Sequence, residues 1–193
     1  MGALQNKTRL EAFSDGVLAI IITIMVLEIH APKGASLSAL IHEVPHLLCY
    51  LLSFVFVGIY WNNHHHLIHF ARQMSPGVLW GNLHLLFWLS LVPLATQWLG
   101  ENPTEAFPAA VYAALLLTCG LAYKILQSVI LSQHERDDEI KATIGSDRKG
   151  YLSLGCYTAA VPAAFVSTSI TIALCVIVAL LWIIPDRRLS KIH

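Results

Sequence analysis

The side chains with chemistry to offer lie in and beside two apolar stretches. In the first, Phe13-Ser14-Asp15-Gly16 leads into an apolar run that closes on Glu28, so an acid flanks the run at each end. A carboxylate beside lipid is costly and usually faces protein interior or water. Asp15 also has a plainer reading as a cap or interfacial residue. A capping residue stands at the helix start, however, and Arg9 and Glu11 indicate a helix that begins earlier. In the second stretch, Trp61-Asn62-Asn63-His64-His65-His66-Leu67-Ile68-His69-Phe70 gathers four histidines at one end of an apolar run. Histidine at such a depth indicates a hydrogen-bond network or a metal site. His65 and His69 share a helix face at four-residue spacing, which suits a metal pair. His30, His42, His46 and His84 are scattered and supply no further histidine box. The residue types therefore favour a polar network with Asp15 or Arg9 at the same membrane depth, without metal.

Between the two acids, Phe13, Val17, Ile20, Ile24 and Leu27 recur at spacings of four, three, four and three. That draws one stripe down one helix face. Such a stripe is either ordinary packing or a pore lining whose narrow apolar rings gate by size and dewetting. The pattern alone does not choose between them. The chain has no glycine-rich phosphate loop, no Thr-Val-Gly-Tyr-Gly filter and no nucleophile–base pair. Ser14 beside Asp15 is no triad, because adjacent helix positions point apart. Cys49, Cys119, Cys156 and Cys175 each lie inside an apolar run at spacings that fit neither a disulfide framework nor a zinc site. They read as buried, reduced and apolar.

The elements that must carry these residues are membrane helices. Of the 193 residues, 56% are hydrophobic and only 12% charged, about half the usual charged fraction of a soluble domain. The formal net charge of +0 exerts no pull on nucleic acid. The first span runs over about 9–30. It reads as a retained helix rather than a signal peptide, because Asp15 interrupts it early and no small-residue cleavage pattern follows. The loop His30-Ala31-Pro32-Lys33-Gly34 ends it. An apolar stretch from Leu37 to Phe70 is too long for one upright helix, so Pro45 is expected to divide an interfacial lead-in from a span over 45–70. The third span covers 76–99 and contains Pro93. The fourth covers 104–132, with Pro103 and Pro108 crowding its start. Residues 134–149 are too charged for lipid. The apolar stretch 150–185 would be about 54 Å long as one helix, against a hydrocarbon core of about 30 Å. It must fold back, near Ser167-Thr168-Ser169, giving spans over 150–166 and 168–185. The fold class expected is therefore an all-α integral membrane protein of six transmembrane helices in one domain over 1–193, with no internal repeat.

Orientation follows from Lys and Arg. With the N-terminus inside, Lys7, Arg9, Arg72, Arg136, Lys141, Arg148, Lys149, Arg187, Arg188 and Lys191 lie on the cytoplasmic side and only Lys33 outside, with Lys124 in or near the fourth span. That bias puts both termini in the cytoplasm of a multi-pass cell-membrane protein. Trp98 fits an outer interfacial anchor and Tyr151 an inner one.

Three ordered motifs give a resemblance. Arg9-Leu10-Glu11-Ala12-Phe13-Ser14-Asp15 is similar to the Arg-x-x-x-Phe-Ser-Asp signature of the transmembrane protein 175 family, lysosomal potassium channels and their bacterial relatives. Trp61 through His65 resembles that family's Trp-x-Asn-His-His stretch. Asn82 through Thr96, with Leu89-Ser90-Leu91-Val92-Pro93, resembles its Asn…Leu-Ser-Leu-x-Pro-x-x-Thr pattern. The match covers the first three spans; beyond them only the span count agrees. The resemblance implies a homotetramer in which the first helices surround a central pore. It implies a pore constriction at Ile20, Ile24 and Leu27, with Thr23 lining the pore. It also implies a structural network behind the pore from Arg9, Phe13, Ser14, Asp15, His64 and His65. His66 stands where the family has a basic residue. A passive channel for potassium and other monovalent cations is the function this implies. A proton leak or proton-coupled carrier is the alternative in transport, and a histidine–metal membrane enzyme the alternative outside it. A carrier would show internal repeats and broken mid-membrane helices, and neither is clear in the sequence.

Overall fold

The structure, a computed structural model, describes residues 2–134 and 147–183, with side chains from Lys7 onward. Among these residues the chain forms helices α1 (Gly2–Leu27), α2 (Leu37–His69), α3 (Pro76–Ser90), α4 (Val92–Glu101), α5 (Ala106–Ser132), α6 (Arg148–Ala163) and α7 (Thr168–Ile183). By length and composition, Lys7–Leu27, Leu37–His69, Pro76–Glu101 and Ala106–Ser132 are each able to cross a membrane. The two 16-residue helices α6 and α7 are shorter, about 24 Å each. The sixth expected span runs past α7 to residue 185, and its last residues lie outside those described, as does most of the charged segment after α5.

Local chemistry sets the helix starts. Ser36 caps α2 by accepting from the Ala39 amide at 3.2 Å, and Ser75 caps α3 by accepting from Val78 at 3.4 Å, with Pro76 at the helix start. Asp147 caps α6 by accepting from the Gly150 amide at 2.8 Å. The turn after α1 closes through Gly34, whose φ of +128° lies in the region that favours glycine.

Two prolines behave differently. Pro93 divides the third span: it cannot donate to Leu89, and the helix breaks at Leu91 before resuming as α4. Pro45 does not divide the second. The expected boundary there is absent, and α2 continues through it for 33 residues. A proline removes one hydrogen bond, and helices in membranes tolerate that where neighbouring groups re-satisfy the backbone.

α5 stands at the centre, packed against α3, α4, α6 and α7. Its buried face mixes small and large residues, among them Ala109, Ala113, Leu116, Cys119, Ala122, Leu126 and Ile130. Lipid is as apolar as leucine, so close approach over small residues and interhelical hydrogen bonds hold such a bundle together. One row of hydroxyls joins three helices. Thr96 of α4 lies 2.7 Å from Ser53 of α2, which lies 2.9 Å from Tyr112 of α5. Cys49, Cys119 and Cys175 are buried and Cys156 half-buried, all as free thiols.

Two further sets of bonds fix the ends of α5 and α6. Gln133 and His134, just past α5, grip the α2–α3 turn. The Gln133 carboxamide accepts from the Arg72 and Gln73 amides at 2.9 and 3.1 Å and donates to the Gln73 carbonyl at 2.9 Å. His134 Nε2 donates to the Phe70 carbonyl at 2.7 Å. Lys124, inside α5, pairs with Asp147 at 2.5 Å, donates to Gln127 at 3.0 Å and lies 4.4 Å above the Tyr151 ring.

Candidate functional site

α1 packs against α2, α3 and α4 with one face only. Leu10, Ser14, Leu18, Ile21 and Met25 form the buried face at spacings of four, four, three and four. Leu18, Ile21 and Met25 are 2–3% exposed, whereas Ile20 is 59%, Ile24 41% and Leu27 75% exposed. Phe13 and Thr23 also lie on the exposed side, where Thr23 Oγ1 donates to the Ala19 carbonyl at 2.8 Å. Ile22 is half-buried and packs on the core. The helix therefore has a packed side and an uncovered apolar side within one subunit.

A polar pin holds the packed side. His64 Nε2 lies 2.7 Å from Asn82 Oδ1, Asn82 Nδ2 donates to Ser14 Oγ at 3.0 Å, and Ser14 Oγ donates to the Leu10 carbonyl at 2.9 Å. An amide oxygen only accepts, so His64 carries its proton on Nε2 in this arrangement. The row runs donor to acceptor across α2, α3 and α1 without a break. All three side chains are fully or almost fully buried. Two turns before Ser14, Lys7 Nζ donates to the His69 carbonyl at 2.8 Å, tying α1 to the end of α2.

Asp15 lies on a different face from Ser14, is exposed, and accepts from the Trp61 indole at 2.9 Å. The structure thus divides the six residues expected to form one network. It brings Ser14 and His64 together through Asn82, and it joins Asp15 to Trp61. Phe13, Arg9 and His65 are exposed, and His65 packs edge-on against His66 with ring centroids 5.8 Å apart. Among the described residues there is no ion pair between Arg9 and Asp15. Six residues on a helix turn through about 600°, which leaves the two side chains about 120° apart.

Asn82 is the residue that sequence reasoning left out of the network, and it is the hub. The available signal was a carboxamide in the middle of the apolar third span. Trp61 was part of a motif but had no partner assigned. The scattered histidines go separate ways: His84 accepts from the Trp88 indole at 3.0 Å, and His46 lies 3.5 Å from Glu43. Among the described residues no three His, Cys, Asp or Glu side chains converge as a metal site would require.

The apolar helices, their caps and the interhelical polar pins define a multi-pass, all-helical membrane protein. The sequence model for "Endosomal/lysosomal potassium channel TMEM175" matches residues 9–93, the stretch that carries the Ser14–Asn82–His64 pin and the Pro93 break. A potassium channel of Chryseobacterium sp. (strain P1-3) is 47% identical over 186 residues, covering 96% of this chain and 97% of that one. The endosomal/lysosomal proton channel TMEM175 of Bos taurus is 34% identical over 134 residues, covering 61% of this chain and 27% of that one. The crystal structure of a lysosomal potassium-selective channel TMEM175 homolog from Chamaesiphon minutus superposes with a TM-score of 0.80 at 27% identity, covering 92% of this chain and 96% of that one. The chain belongs to the TMEM175 family.

Proposed function

We propose that this protein is a potassium-permeable cation channel that conducts passively through a tetramer of identical subunits, with α1 of each lining a central pore. The observation that carries the proposal is the two-sidedness of α1: its packed face is pinned by buried hydrogen bonds, while Ile20, Ile24 and Leu27 lie uncovered on another. One helix cannot enclose a pore, so the uncovered face calls for a closed ring of copies. The likeness to bacterial relatives named potassium channels supports the same reading.

In this arrangement Ile20, Ile24 and Leu27 form successive apolar rings, Ile20 toward the cytoplasm and Leu27 toward the outer mouth, with Thr23 adding a hydroxyl between them. An apolar ring offers a cation no replacement for its water, so ring diameter and wetting set the barrier. Ser14, Asn82 and His64 hold α1 at a fixed distance from the axis, and Asp15 with Trp61 steadies its inner end. The cytoplasmic placement of both termini in the cell membrane rests on the Lys and Arg distribution.

The vertebrate relatives named proton channels favour a second reading, in which protons also pass. Purified protein in liposomes tests both. An outward potassium gradient with valinomycin absent should drive cation flux that scales with reconstituted protein. Flux of protons alone, unaffected by potassium, would replace the first reading with the second.

A further inference from the structure

The two polar rows of the bundle lie on opposite sides of the Pro93 break. Asn82, which bonds Ser14, belongs to α3, and Thr96 belongs to α4. Thr96 Oγ1 donates to the carbonyl of Val92, the first residue of α4, at 2.7 Å. It also lies 2.7 Å from Ser53 of α2, which in turn meets Tyr112 of α5. All three side chains are buried, so losing one hydroxyl leaves its neighbour short of a partner away from solvent.

α1 packs on both α3 and α4, and its register against them follows from Ser14. Ser14 and Asn82 are hydrogen-bonded and stand at one height. From there α1 and α3 run the same way, because α2 returns the chain between them. Ile20 and Trp88, each six residues further on, lie about 9 Å along. Ile24 and Val92, each ten residues further on, lie about 15 Å along. Leu27 and Ala95 follow at about 20 Å. The level of Ile20 therefore belongs to α3, and the levels of Ile24 and Leu27 belong to α4. The break at Leu91 falls between them. Pro93 has no amide hydrogen to offer across it, so the two helices are joined less stiffly than one continuous helix.

We propose that Thr96 is a positioning residue for the outer part of the conduction path. With Ser53 and Tyr112 it holds α4, and through α4 the level of Ile24 and Leu27, while the Asn82 pin holds the level of Ile20. This role rests on α1 lining the pore. Thr96 itself touches no ion: its hydroxyl ties α4 to α2, and through Ser53 to α5. The inner and outer rings are thereby set by separate fastenings, and one can widen without the other.

The experiment is the rate of disulfide formation between copies of the full-length protein in liposomes, read at two reporters, Ile20→Cys and Leu27→Cys. Protein without a reporter serves as the blank for the native thiols. Both reporters should crosslink in an otherwise unmodified chain. Thr96→Val, which keeps the size and removes the hydroxyl, should speed crosslinking at Leu27→Cys by about fivefold, the worth of one lost hydrogen bond, and leave Ile20→Cys unchanged. Ser14→Ala, which releases α1 from Asn82, should do the reverse. Thr96→Ser, which keeps the hydroxyl, should leave both rates as they were. Tyr112→Phe, at the other end of the row, should act in the same direction as Thr96→Val, and it carries the test if Thr96→Val does not assemble. Equal acceleration at the two reporters, acceleration confined to Ile20→Cys, or no change at either overturns the positioning role. An absence of crosslinks at both reporters in the otherwise unmodified chain overturns α1 as the pore helix, and the positioning role falls with it.

Discussion

His64 Nε2 and Asn82 Oδ1 meet at 2.7 Å in the interior of the bundle, and through that bond a histidine on α2 sets the position of α1. Asn82 is the intermediary, since its other amide atom donates to Ser14. The pin joins three helices with two interhelical bonds, and each of its members depends on the others.

Asn82→Leu should therefore destabilise the protein by about 1–3 kcal/mol, because it strands His64 and Ser14 as buried polar groups. His64→Leu should cost less in the Asn82→Leu background than alone. Thermal unfolding of the two single variants and the double variant in detergent measures the coupling. Strictly additive losses would show that the row does not act as a unit.

The rings predict an asymmetry on α1. Ile20→Asn should raise cation flux, because a polar ring wets more readily than an isoleucine ring. Ile22→Ala, about 160° around the helix from Ile20, should instead lower stability by about 2 kcal/mol through lost packing and leave flux per folded channel unchanged. Liposome flux normalised to assembled protein decides this. An open channel from Ile22→Ala together with unaltered flux from Ile20→Asn would place the pore on the other face.

Asp147 does two jobs, pairing with Lys124 and capping α6. Both side chains are nearly buried, at 11% and 16% exposure. Removing one partner of such a pair costs about 3–5 kcal/mol, and losing a cap adds about 1 kcal/mol. Asp147→Ala should accordingly be more damaging than Lys124→Met. Asp147→Asn, which keeps the cap acceptor but not the charge, should fall between Asp147→Ala and the unmodified protein. Equal melting temperatures for Asp147→Ala and Asp147→Asn would remove the capping contribution.

The charge bias predicts accessibility. A cysteine at Ser36, in the turn between α1 and α2, should react with a membrane-impermeant thiol reagent in intact cells, and a cysteine at Ser146 should react only after permeabilisation. The reverse pattern would invert the orientation.

The sequence carried the heights of the functional groups but not their azimuths. Hydrophobic runs and their breaks put the start of α3 and both ends of α5 within two residues, because apolar length is a one-dimensional property, whereas α1 begins at Gly2, seven residues before the expected start. The exposed row through Ile20, Ile24 and Leu27 was legible for a similar reason, since helical period alone puts those residues on one face. Pairing across helices was not. Arg9 and Asp15 were matched by depth, yet Asp15 meets Trp61, a contact that depends on how α1 is rotated against α2. Asn82 was read as part of a pattern and its partners came only with the packing of α3. Lys124 was visible as a lone charge in or near a span, but its partner was one acid among several in the segment that follows α5. Pro45 misled because proline signals a lost bond, and a long membrane helix is able to continue past one.

The grip of Gln133 and His134 on the α2–α3 turn and the Lys124–Asp147 pair have a practical consequence. They fasten the chain at Gln133 and His134 before residues 135–146 and at Asp147 after them. Lengthening a connection between two fixed points is cheap, since each doubling of a flexible segment adds only about 0.6 kcal/mol of closure entropy. A fluorescent protein or an epitope inserted between residues 140 and 141 should therefore leave the helices in register, which makes this the natural place to attach a reporter.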